Sequence, residues 1–137
     1  MTNRMLVDLQ RCSGCWTCAA ACKVGNGLAD KEWWLTVKTL GNGEGIDRPS
    51  GIWPDLRMSW MPIYTDKCLF CAERLAEDKE PYCSYSCPAK AITFGDIDDE
   101  NSEVSTKMEE LRTKGYRIFS LPEWESTRKG IVYASRK

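Results

Sequence analysis

Residues 12–27 read CSGCWTCAAACKVGNG, and residues 68–88 read CLFCAERLAEDKEPYCSYSCP. In the first stretch Cys12, Cys15, Cys18 and Cys22 are separated by two, two and three residues. A four-iron, four-sulfur cube needs one thiolate at each iron. A loop with a cysteine at every third position wraps one corner and reaches three irons. The fourth cysteine of such a run ligates the other cluster in two-cluster ferredoxins. The second stretch answers the first. Cys68 and Cys71 repeat the spacing, Cys83 follows an insertion of eleven residues, and Cys87 precedes Pro88. With the insertion set aside, the halves are two copies of one pattern. The pairing expected is crossed: Cys12, Cys15 and Cys18 with Cys87, and Cys22 with Cys68, Cys71 and Cys83. All eight cysteines are then used in two [4Fe-4S] clusters.

Two other uses of eight cysteines are weaker. Disulfides seldom persist in a reducing compartment, and no export signal is visible at the N-terminus. Zinc sites with four thiolates usually draw two pairs from well-separated segments, whereas three cysteines here share one tight loop. The chain has no histidine. That excludes Rieske-type ligation, Cys/His zinc fingers and a Ser–His or Cys–His nucleophile pair.

Outward from the motifs, 137 residues suit one modest domain. With 19 basic and 20 acidic side chains, the net charge gives no reason to expect nucleic acid as a partner. No stretch reaches the roughly 18 apolar residues of a membrane helix. The compartment expected by default is therefore cytoplasmic. RMLVDLQ predicts a strand leading into Cys12. CWTCAAACKVG predicts a short helix ending near Gly25. EWWLTVKTL, LRMSWMPIYT and KAITFGDI predict strands, and GNGEGIDRPSG predicts a loop. That loop fails as a dinucleotide fingerprint, because the third glycine position is Ile46. AERLAEDKEP predicts one or two helical turns closed by Pro81. NSEVSTKMEELRTKG predicts a helix capped by Asn101 or Ser102 and stopped at Gly115, with Val104, Met108 and Leu111 as its apolar stripe. YRIFSLP and GIVYAS are short strand candidates. The acidic run from Asp96 to Glu103 is most simply a solvated loop and helix start.

Of six tryptophans, Trp16 lies inside the first cysteine loop, where it would screen a cluster from water. Trp33, Trp34, Trp53 and Trp60 fall between the motifs and suit either core packing or an interface with a larger subunit. Lys23 and Lys90 adjoin Cys22 and Pro88. They are candidates for tuning a cluster, against the simpler role of solvated lysines.

CSGCWTCAAACKVGNG followed by EWWLTVKT resembles the first cysteine motif of the iron–sulfur subunits of molybdopterin oxidoreductases, the dimethyl sulfoxide reductase family. CLFCAERLAEDKEPYCSYSCPAKAITFGDIDDENSEVS resembles the last motif of those subunits. Family members usually carry four motifs, and the middle two are missing here. Under the crossed pairing that loss strands no ligand.

The resemblance implies an α+β fold with a bacterial dicluster ferredoxin-like core, built as a pseudo-two-fold βαβ repeat. Residues 1–137 would form one such domain, with an insertion at 23–67 and a C-terminal helix–strand extension at 96–137. It implies a non-catalytic electron-transfer subunit serving a large molybdenum- or tungsten-pterin catalytic subunit, with a further redox partner as an option and no direct membrane insertion. The alternative is a free-standing soluble two-cluster ferredoxin. Family members can also reach the periplasm by export alongside a signal-bearing partner.

Overall fold

The computed structural model describes residues 3–39, 49–120 and 130–135. Most of the expected loop at 41–51 and Trp124 lie outside these residues. The architecture is mixed α and β. Strand β1 (Asn3–Asp8) leads to the first cysteine loop, helix α1 (Thr17–Gly25) and strand β2 (Leu35–Thr39). A hairpin, β3 (Ser50–Ile52) and β4 (Asp55–Arg57), precedes strand β5 (Trp60–Tyr64). The second cysteine loop follows, then helices α2 (Ala72–Ala76) and α3 (Tyr82–Ser86) and strand β6 (Ile92–Asp96). Helix α4 (Glu103–Thr113) and strands β7 (Arg117–Phe119) and β8 (Ile131–Ser135) end the described order.

Strand pairing exchanges the halves. β1 runs antiparallel to β6, with Val7 opposite Ile92 and Met5 opposite Phe94. β2 runs antiparallel to β5, with Leu35 opposite Tyr64. The first strand of each half thus pairs with the last strand of the other. β8 joins the other edge of β1 in parallel, and β7 closes the sheet in the order β6-β1-β8-β7.

Met5, Leu6 and Val7 are all essentially buried. Alternation alone assigns Met5 and Val7 to a core face and Leu6 to the outside. The other face is covered as well, because Val104, Met108 and Leu111 of α4 pack on Leu6 and Ala134. On the first face, Met5 and Val7 pack with Leu35, Tyr64, Tyr133, Cys18, Cys22 and Cys83. The Tyr133 hydroxyl donates to the Pro62 carbonyl at 2.5 Å, tying β8 to β5.

The helix predicted to close on Pro81 ends earlier, at Ala76. Pro81 instead stands at the N-cap of α3. A proline lacks the N–H that a helix interior needs but loses nothing at a helix start. α4 begins at Ser102, whose side chain accepts from the Ser105 N–H at 3.3 Å. Of the inter-motif tryptophans, Trp34 and Trp60 pack on the core, while Trp33 and Trp53 stand exposed on the surface. No helix among the described residues is long and apolar enough to cross a membrane.

Candidate metal centre

Each cysteine loop leaves its strand through a tight turn. Asp8, nearly buried at the end of β1, accepts the Gln10 N–H on its carboxylate at 3.0 Å. Its backbone carbonyl takes the N–H groups of Arg11 and Cys12. Gly14 has φ +71, and a Cβ there would lie 2.6 Å from the Trp60 ring. The loop therefore needs glycine both for its backbone angle and for its contact with β5. Trp16 is also left-handed, at φ 64, where it stands at the N-cap of α1. Along α1, Cys18 and Cys22 are four apart and share the buried face with Ala19.

One cavity is lined by Cys12, Cys15, Cys18 and Cys87, together with Trp16 and Pro88. The first three come from the N-terminal loop and the fourth from the far end of the second motif. Burial raises the Cys12 thiol above its ordinary value, and the nearby Cys87 and Cys15 add to the rise; the Gly14 N–H opposes it. Burial pushes Cys18 up to about 12, with Cys12, Cys87 and Cys15 contributing. Cys15 is exposed. Thr17 hydrogen bonds to it, with Oγ1 at 3.2 Å from the sulfur, and holds its thiol below the ordinary value. The Ala91 N–H donates to Cys87 Sγ at 3.4 Å.

The remaining four cysteines also adjoin one another. Burial pushes Cys22 up to about 11, and its electrostatic neighbours are Cys68 and Cys71. Cys83 is raised well above its ordinary value, by burial first and then by Cys68 and Cys71, while its hydrogen bond to Tyr64 opposes the rise. The Tyr82 N–H donates to Cys71 Sγ at 3.5 Å, and Asn26 Nδ2 to Cys22 Sγ at 3.6 Å. The Tyr64 hydroxyl lies 3.6 Å from Cys83 Sγ. All eight cysteines are free of disulfides. Among the described residues, no three Cys, Asp or Glu side chains gather closely enough to hold a single metal ion.

Of the two lysines singled out from the sequence, Lys23 has its ammonium engaged by the loop that follows α1. Lys23 Nζ donates to the carbonyls of Ala29, Asp30 and Glu32 and sits 4.3 Å from the centre of the Trp33 ring. It holds the loop after α1. Lys90 is left-handed, at φ 54, and its N–H donates to the Cys87 carbonyl. Trp16 meets Trp33 edge-on at 5.8 Å and is 41 % exposed, so it covers the first cavity only in part. Sequence reasoning missed Thr17, Asn26 and Tyr64 as partners of sulfur. Their positions beside the motifs carry no periodicity that marks them.

No protein-family model matches the chain. A Halobacterium salinarum protein named as the iron–sulfur component of a dimethyl sulfoxide reductase is 32% identical over 107 residues, covering 78% of this chain and 36% of its own. The NrfC homologue of Haemophilus influenzae is 36% identical over 113 residues, covering 77% and 50%. A sulfite dehydrogenase component of Allochromatium vinosum is 29% identical over 126 residues, covering 88% and 39%. The chain thus spans between about a third and a half of these relatives. Two cysteine motifs of ferredoxin spacing, set on strands that exchange partners, agree with relatives of this kind: the chain is similar to the iron–sulfur subunits of the molybdopterin oxidoreductases.

Proposed function

We propose that the chain holds two [4Fe-4S] clusters and relays single electrons to or from a large molybdenum- or tungsten-pterin catalytic subunit, without catalysing a reaction itself. Cys12, Cys15, Cys18 and Cys87 would hold one cluster, and Cys22, Cys68, Cys71 and Cys83 the other. The observation that carries this is the exchange between halves. Cys87 shares a cavity with the first three cysteines, and Cys22 neighbours Cys68 and Cys71.

A bound cluster supplies reversible one-electron chemistry. The protein's part is to position and to tune. α1 presents one cysteine to each site, Cys18 and Cys22. Met5, Val7 and Tyr64 keep water from the inner sulfurs. The N–H groups of Tyr82 and Ala91 point donors at Cys71 and Cys87, and donors at sulfur favour the more negative, reduced state. The whole chain is read as one dicluster ferredoxin-type unit, with residues 23–67 as an insertion and 96–137 as an extension. The relatives are named for partners of different chemistry, dimethyl sulfoxide and sulfite among them. Substrate choice is accordingly assigned to the catalytic subunit.

Anaerobic purification from the native host tests the proposal. About eight iron atoms per chain and a large subunit at fixed ratio are expected. Far less iron, or zinc in its place, would overturn the cluster assignment. Full iron with no companion protein would favour a free-standing ferredoxin.

A further inference from the structure

Tyr64 is 2 % exposed, and its hydroxyl is enclosed with it. A buried phenol needs a hydrogen-bond partner. Among the described residues its partner is the Cys83 sulfur, at 3.6 Å. Cys83 is itself 5 % exposed, and Met5 Sδ closes its other side at 3.8 Å. Water cannot stand in for the phenol there as it can at Cys15. The Tyr64 ring is held on both sides of β5, by the pairing of its backbone with Leu35 and by the core around it. Tyr64 also senses Cys18 of the other quartet, after burial and Cys83. Among the described residues its hydrogen bond to a cysteine is nonetheless to Cys83 alone.

We propose that Tyr64 is a potential-setting residue: its hydroxyl donates to Cys83 Sγ and holds the centre ligated by Cys22, Cys68, Cys71 and Cys83 at a higher reduction potential than it would otherwise have. This rests on the cluster assignment above. When a centre gains one electron, negative charge on its sulfurs grows and a donor at sulfur is strengthened. The reduced form gains more than the oxidised form, and no proton needs to move. At the same distance from its cysteine motif, the first half carries Asp8, which turns its carboxylate to the Gln10 N–H. The two halves thus differ in the side chain they offer to sulfur at this position, and the effect belongs to one centre.

The test is an anaerobic redox titration of the full chain followed by electron paramagnetic resonance. The centre in question is identified as the one lost in Cys68→Ala. Tyr64→Phe keeps the ring and removes the hydroxyl. At fixed poise the reduced-to-oxidised ratio of that centre should fall about tenfold, a shift of 59 mV downward for a one-electron couple, with the other centre unmoved. Site-specific 3-fluorotyrosine at position 64 keeps the shape and makes a stronger donor, so the same potential should rise; it serves if Tyr64→Phe does not fold. Tyr133→Phe is the structural control, since its hydroxyl bonds to a carbonyl, and it should leave both potentials in place. The proposal is overturned if both Tyr64 variants leave that centre unmoved, if both centres shift equally, or if Tyr133→Phe shifts it as much. Failure of the cluster assignment is separate, and would show as missing iron in the unsubstituted protein.

Discussion

Cys18 and Cys87 come from opposite halves of the chain and line the same cavity. Replacing either by alanine should erase one and the same paramagnetic signal and spare the other. Two different signals lost would break the crossed assignment. The glycines set a comparable constraint. A Cβ at Gly25 would lie 2.5 Å from the Tyr82 ring, where the end of α1 meets α3. Gly25→Ala must push that ring away, and overpacking of this kind costs about 1–3 kcal/mol. The fall should appear in thermal unfolding of the iron-loaded protein. At this scale the cysteines are legible in the sequence because their spacing is the chemistry. Tyr64 and Asn26 are not, because their role depends on what a distant segment brings alongside them.

Among the elements, α4 is the most readable. Ser102 is a strong cap type, and Val104, Met108 and Leu111 fall at helical spacing and are buried. Ser102→Ala should cost about 1 kcal/mol, and Leu111→Ala about 2–5 kcal/mol, both measured by denaturant unfolding. The short helix α3 escapes the sequence, because five residues with a single cysteine carry no helical stripe and Pro81 looks like a terminator when it is a start. The second buried face of β1 escapes it for another reason. Leu6 is covered by α4, a partner nearly a hundred positions away, and alternation within a strand says nothing of what covers its reverse side. The strands β5 and β6 beside the motifs are legible from their β-branched and aromatic residues between turns, and β1 from the apolar alternation of Met5, Val7 and Leu9.

For the molecule as a whole, binding and folding are expected to be one process, since unfolded chains do not hold preformed sites. Removing iron with a chelator should collapse cooperative unfolding and reduce helical circular dichroism. The protons give a second handle. An ordinary cysteine thiol titrates near about 8.5, and burial as the chain folds pushes Cys18 and Cys22 higher still, so before iron is bound these thiols stay largely protonated at neutral pH. Ligation needs thiolates. Cluster assembly should therefore release protons, and iron should be held more tightly as pH rises from about 6 to about 9; reconstitution in weakly buffered solution, followed with an indicator dye, reads this directly. The repeated motif implies an exchange of cysteines between halves. The strand pairing that goes with it and the parallel seat of β8 beside β1 are not implied, because a short apolar strand does not announce its neighbour.

That seat has a consequence for how the protein is made. β1 leaves the ribosome well before its two neighbours in the sheet, β6 and β8, and Tyr133 of β8 reaches across to Pro62. The sheet cannot close until both have followed. The four-stranded sheet is thus complete only after residue 135 has cleared the exit tunnel, later than in a chain that folds from its front end.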